Sequence, residues 1–254
     1  MEDFIRYVAF IFLCFLVNDV STDCDKWMTV STDRTVHKQG FHREIVSNLT
    51  WIIENDTKMN CILMLVHHIP RDMFVDLDEI RSVDTSKIVP VGDPNDFDVE
   101  RPAHLSTKIK VLVYPDIKKQ NMESYLRLTS SSILLVHWRY QQPTQHQHYV
   151  PVTLPRPTIL TRCQDNFTSE HMQRCLNKQE ILQYPCDHDT AEMCDWFVLR
   201  QNLNNQNNDI IFTVPVGVKK HTYLVACGTI FITLSATYIL MQLPWFDINK
   251  EKIR

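Results

Sequence analysis

The chain has 254 residues, a formal net charge of −4 and 44% hydrophobic residues, enough for one globular domain with a core of its own. Acids and bases are interspersed, so no single-sign field steers the chain to nucleic acid. The four glycines, Gly40, Gly92, Gly217 and Gly228, lie far apart, which excludes a glycine loop cradling a nucleotide phosphate and with it the Walker and dinucleotide-binding classes.

Arg6 is followed by an eleven-residue apolar run, Tyr7 to Val17, of signal-peptide length and too short to span a membrane comfortably. Residues 1–21 are therefore expected to be a signal peptide, although Glu2 and Asp3 dilute its positive start and no small-x-small cleavage site follows; a buried core segment is the alternative. From there short runs rich in Val, Ile, Thr and aromatics recur between turn residues: Glu44–Ile53, Cys61–Val66, Met73–Leu77, Lys108–Tyr114, Ile133–Tyr140, Tyr149–Leu154, Thr158–Thr161, Trp196–Leu199 and Ile210–Val214. Such runs predict strands, and the fold class expected is mainly β, an antiparallel sandwich-like lumenal domain over 22–221. Asp93-Pro-Asn95 and Pro143-Thr144 read as turns. Ser169–Gln183, with Met172, Cys175, Leu176 and Leu182 at spacings near three and four, predicts a helix, and the Asn/Gln run 201–208 an exposed loop.

Tyr223 to Leu243 carries no charge over 21 residues, about 30 Å at 1.5 Å each, and predicts a transmembrane helix, bounded here as 222–243. Thr229, Thr233, Ser235 and Thr237 within it either bond across a helix pair or bond to their own backbone. Lysines on both flanks leave the positive-inside rule undecided, so orientation rests on the signal peptide: a lumenal domain and a short cytosolic tail, 244–254. Lys250 and Lys252 in that tail fit K-x-K-x-x, a receptor-read address for return to the endoplasmic reticulum (ER).

Six cysteines fall in the expected lumenal segment: Cys24, Cys61, Cys163, Cys175, Cys186 and Cys194. An oxidising compartment makes disulfides the default, with connectivity open and the C-terminal four suggesting a local staple. Zinc is the competing reading, because His171 and His188 sit among them, but no C-x-x-C pair is present. Asn48-Leu-Thr50, Asn55-Asp-Thr57 and Asn166-Phe-Thr168 are N-glycosylation acceptors, all on the expected lumenal side.

Three D-x-D triplets, Asp76/Asp78, Asp96/Asp98 and Asp187/Asp189, match the acidic pattern with which glycosyltransferases hold a divalent metal, yet triplets are common by chance among 30 acids. His67-His68 and His146-Gln-His148 offer imidazoles without an H-E-x-x-H or a Cys-His signature. No catalytic residue, metal ligand or cofactor is expected, and the histidines and acids are read as surface or core groups.

From His137 the chain reads His-Trp-Arg-Tyr-Gln-Gln-Pro143, then Tyr149-Val-Pro-Val-Thr-Leu-Pro155-Arg-Pro157, leading to Cys163. Together with Ile69-Pro-Arg-Asp-Met-Phe-Val-Asp76, Cys194-Asp-Trp196 and Val214-Pro-Val-Gly217, this resembles the PIG-X family, the class X proteins of phosphatidylinositol-glycan biosynthesis. The resemblance implies a non-catalytic ER membrane subunit that stabilises PIG-M, the multi-spanning catalytic subunit of the first glycosylphosphatidylinositol (GPI) mannosyltransferase. His137, Arg139, Tyr140, Pro143, Pro155 and Pro157 then become candidates for contact with that partner, or else for holding the fold. A p24-like cargo receptor is the alternative architecture, but residues 196–222 lack the heptads it requires.

Overall fold

A computed structural model of the chain describes residues 24, 29–54, 60–82, 87–163, 175, 178–202 and 209–251. The expected signal peptide, the acceptors Asn55 and Asn166, His171, residues 203–208 and Lys252 lie outside the described residues. The chain divides into two compact units, one within 1–139 and 153–212, the other within 140–152 and 213–254.

The strands of the main sheet are β1 (Thr29–His37), β2 (His42–Glu54), β3 (Cys61–Ile69), β4 (Met73–Phe74), β5 (Lys87–Val91), β6 (Ile109–Tyr114), β7 (Ile117–Asn121), β8 (Tyr125–Trp138), β10 (Thr158–Cys163), β11 (Ile181–Pro185) and β12 (Met193–Gln201). They form one curled sheet of order β4-β8-β2-β1-β12-β10-β3-β6-β5, with β7 added to β8 and β11 to β12. A one-turn helix α1 (Leu77–Ser82) follows β4. Every pairing in this sheet is antiparallel except β1 with β12, where Thr29 lies opposite Arg200 and Val30 opposite Gln201. The expected mainly antiparallel class therefore forms, and one parallel contact joins its two antiparallel halves.

The local reason is alternation. In β2, Ile45, Ser47, Leu49, Trp51 and Ile53 are buried, and across the ladder so are Leu126, Leu128, Ser130, Ser132 and Leu134 of β8, with Trp51 opposite Leu128. β3 shows no alternation, because both of its faces are covered. On one face Met64 and Val66 pack with Leu112, Tyr114, Leu160 and Trp196; Leu63, Leu65 and His67 point to the other.

Four strands escape the sequence reading: β1, β5, β7 and β11. β1 is TVSTDRTVH and β7 is IKKQN, polar segments whose pairing is supplied by β2 and β8. β5 contains Pro90, which is tolerated because β5 is an edge strand. The run expected as a strand over Met73–Leu77 splits, since Asp76 Oδ1 accepts from the Asp78 and Glu79 amides at 2.9 and 3.3 Å and starts α1. The predicted helix 169–183 is corrected at its end: Cys175 is helical, but Ile181–Gln183 pair with Asp195–Phe197, a partner that local spacing does not reveal. Gln201 is likewise no loop residue; its amide donates to the Pro157 carbonyl at 2.6 Å at the end of β12.

The cysteines pair as Cys24–Cys175, Cys61–Cys163 and Cys186–Cys194. The local staple expected of the C-terminal four is limited to Cys186–Cys194, which closes the β11–β12 hairpin. Cys163 pairs instead 102 residues back, because β10 lies beside β3 with Cys163 directly opposite Cys61.

In the second unit, Thr144 bridges Val218; its amide donates to the Gly217 carbonyl at 2.9 Å, and its carbonyl accepts from the Lys219 amide at 2.8 Å. Strands β9 (Tyr149–Leu154) and β13 (Ile210–Pro215) pair as a separate ribbon. The one candidate span among the described residues, Lys219–Gln242, begins three residues before the helix α2 (Thr222–Glu251), which runs on past Pro244. Its threonines settle the alternative left by the sequence: Thr229, Thr233 and Thr237 each donate to the carbonyl four residues earlier, at 2.8, 2.8 and 2.9 Å.

Trp196 is fully buried, with its indole N–H donating to the Pro185 carbonyl at 3.2 Å, so Trp196→Ala is expected to destabilise the domain by about 3–5 kcal/mol, read as a shift in the urea midpoint of the detergent-solubilised chain.

Candidate functional site

The His-Trp-Arg-Tyr block lies at the end of β8, where strand geometry sorts its side chains. His137 and Arg139 share one side, both against Phe74 of β4: the His137 ring stacks on it at 5.0 Å, and the Arg139 guanidinium sits 5.1 Å over its face. Trp138 is buried, makes an edge contact with Phe212 at 4.6 Å and donates its indole N–H to the Gly40 carbonyl at 3.0 Å.

Arg139 is 2% exposed and acts as a clamp. Its Nε donates to the Met73 carbonyl at 3.3 Å, its Nη1 to the Asp98 and Arg101 carbonyls at 2.6 and 2.7 Å, and its backbone amide to the Asp72 carbonyl at 2.9 Å. One cation thus ties the β4 segment and the 98–101 loop to β8. Burial lowers its pKa, Asp98 opposes that shift, and Arg101 adds to it. Tyr140, the next residue, is 78% exposed.

His137 meets two further groups. His42 lies opposite it across the β2–β8 ladder, with ring centroids 4.7 Å apart at 76°. Glu79 of α1 reaches both rings, Oε2 to His137 Nε2 at 2.7 Å and Oε1 to His42 Nδ1 at 3.5 Å. Sequence reasoning singles out His137 but misses His42 and Glu79, because only the ladder register and the α1 turn bring them together.

The prolines fix turns whose carbonyls are used. The Pro155 carbonyl accepts from Arg34 Nη1 at 3.3 Å, that of Pro157 accepts from Gln201, and in the second unit Pro143 packs beside Gly217. One aspartate of each acidic triplet is a local cap: Asp76 caps α1, Asp98 accepts an amide two residues on at 2.9 Å, as Asp93 does outside the triplets, and Asp187 accepts the Asp189 and Thr190 amides at 2.8 and 2.9 Å. Those bonds, the Asp189 amide first, lower the Asp187 pKa. Asp96 accepts the Thr107 hydroxyl at 2.9 Å. His146 and His148 are exposed, and Asn48 faces outward from β2.

His67 is 1% exposed, and neither ring nitrogen has a hydrogen-bond partner among the described residues. Burial, with Arg34 and His68 adding to it, lowers its pKa from 6.5 to about 3.

Compared with known proteins, the chain matches the family model described as PIG-X / PBN1 over residues 38–244. The chain belongs to this family. It is 29% identical over 206 residues to a Rattus norvegicus protein named "GPI alpha-1,4-mannosyltransferase I, stabilizing subunit", covering 80% of this chain and 77% of that one. A Homo sapiens protein of the same name is 27% identical over 207 residues, covering 81% and 76%. No solved structure matches the chain. The PIG-X match spans the Arg139 clamp, the His137 group and the apolar stretch of α2.

Two predictions separate fold from contact. Arg139→Met removes three carbonyl bonds from a buried site and is expected to cost about 3 kcal/mol, whereas Tyr140→Ala is expected to change stability by less than about 0.5 kcal/mol, both read by urea unfolding. His67 is neutral when folded and takes up a proton on unfolding once the pH drops below its unfolded value near 6.5. Stability is therefore full above pH 6.5 and lost as pH falls toward about 3, by up to about 1.4 kcal/mol per pH unit. His67→Leu is expected to flatten that acid limb in unfolding curves taken across the same window.

Proposed function

We propose that the chain is the non-catalytic stabilising subunit of GPI mannosyltransferase I, partnered with a multi-spanning PIG-M-like catalytic subunit. The observation that carries this reading is the PIG-X match across 38–244, with the relatives named as that subunit. GPI-anchor biosynthesis implies the ER, and the reading assigns 22–221 to the lumen, α2 to the membrane and Lys250 and Lys252 to retrieval.

The architecture fits a partner's role. A single span encloses no site for a lipid-linked sugar, and the Asp76, Asp93, Asp98 and Asp187 carboxylates are engaged in capping backbone amides. The hydroxyls of Thr229, Thr233 and Thr237 are bonded within their own helix, so association of α2 with another helix rests on shape and dispersion. Tyr140 and Tyr149 are exposed in the unit that carries α2, and large rings with a polar tip suit a docking surface. The outward Asn48 suits a lumenal domain bearing a glycan. The p24-like alternative finds no support in the comparisons.

Disrupting the gene in a cell line is expected to remove GPI-anchored proteins from the surface and deplete the catalytic subunit, with both restored by extra catalytic subunit. Flow cytometry and quantitation of that subunit check this, and unchanged abundance would overturn it.

A further inference from the structure

We infer that His42, Glu79 and His137 form a binding site for a borderline transition-metal dication, best suited to zinc. The donor atoms, one from each residue, all lie within 4.8 Å of one another. Two imidazoles and one carboxylate select zinc over calcium or magnesium, which require oxygen ligands. A tetrahedral zinc with ligands at about 2.0–2.1 Å brings donors to about 3.3 Å from each other, so the site needs a closing movement of its side chains and no rearrangement of strands.

The supporting shell is already present. His42 and His137 are held opposite each other by the ladder, near perpendicular, and His137 is braced by Phe74, itself beneath Arg139. All three side chains are between one-fifth and one-third exposed, which leaves an entry path and room for water to complete the coordination.

One neighbour opposes the ion. Lys38 Nζ lies 3.3 Å from His42 Nε2, and since an ammonium only donates, that nitrogen accepts and the ring proton sits on Nδ1, facing Glu79. Metal binding exchanges the tautomer: Nδ1 gives up its proton to solvent and coordinates, Nε2 gains one from solvent, and the imidazole stays neutral throughout. His137 makes the same exchange with its nitrogens reversed. Lys38 then turns fully to Glu44, with which it already pairs at 2.6 Å. Bound zinc would fasten α1 to the ends of β2 and β8, beside the Arg139 clamp.

The test uses the untagged full-length chain in detergent, stripped with chelator and titrated with zinc chloride by calorimetry, with cobalt(II) as a spectroscopic probe. The expected result is one high-affinity equivalent, d–d absorption of a tetrahedral nitrogen–oxygen site, and a zinc-dependent rise in melting temperature. Glu79→Gln, nearly isosteric, is expected to weaken binding at least tenfold, as is His42→Asn; His137→Ala should abolish it. Lys38→Met should strengthen it, and His146→Gln with His148→Gln should leave it unchanged. Absence of a stoichiometric site, or a site insensitive to Glu79→Gln and His42→Asn in chains with the unaltered melting temperature of the metal-free protein, overturns the inference. Loss of fold in His137→Ala leaves the decision to those two variants.

Discussion

The parallel contact between β1 and β12 is the constraint on which the main sheet depends. It covers only two registered positions, yet it joins two antiparallel halves that would otherwise each expose an edge. Its neighbourhood is correspondingly reinforced: the Asn202 amide donates to the Val30 carbonyl at 2.9 Å, and Gln201 accepts the Thr32 hydroxyl at 3.5 Å while donating to the Pro157 carbonyl. Closing a contact across some 170 residues of chain is entropically costly, and the Cys24–Cys175 bridge, with a separation of 151, reduces that cost in the unfolded state.

Once the sheet is joined, β3 is covered on both faces and the polar residues of the interior follow. Arg34, Ser47 and Ser132 form one cross-strand row, and His67 lies within electrostatic reach of Arg34. A core that half-buries Arg34 and fully buries an uncharged His67 is held by topology as much as by apolar contact, since each carries a desolvation cost repaid only by the surrounding fold. The Arg139 clamp follows the same logic at the sheet's far end, where a guanidinium replaces the regular secondary structure that the 98–101 loop lacks.

These features suit a subunit whose task is to hold another protein. The family signature divides between residues that hold the domain, Trp138 and Arg139 foremost, and Tyr140, which faces outward beside the segment that pairs with the approach to α2. An apolar helical stretch whose Thr229, Thr233 and Thr237 hydroxyls bond to their own backbone, and aspartates that cap neighbouring amides, suit a protein that presents surface to a partner.

The sequence by itself determined the class of fold, the long apolar helix, the family and most interior strands, because alternation in β2 and β8, the unbroken apolar run of β3 and the uncharged stretch after Tyr223 are local properties. It did not reveal β1, β7 or the end of the Ser169–Gln183 segment, whose structure is imposed by partners distant in the chain. The cysteine pairing was equally hidden: spacing favoured a local cluster, and only the adjacency of β10 and β3 set Cys163 opposite Cys61. The same distinction runs through the site. His137 and Arg139 were visible as a motif, but which of them clamps carbonyls and which meets His42 and Glu79 was decided by the register of β2 on β8 and by the single turn that Asp76 begins, contacts that no local pattern encodes.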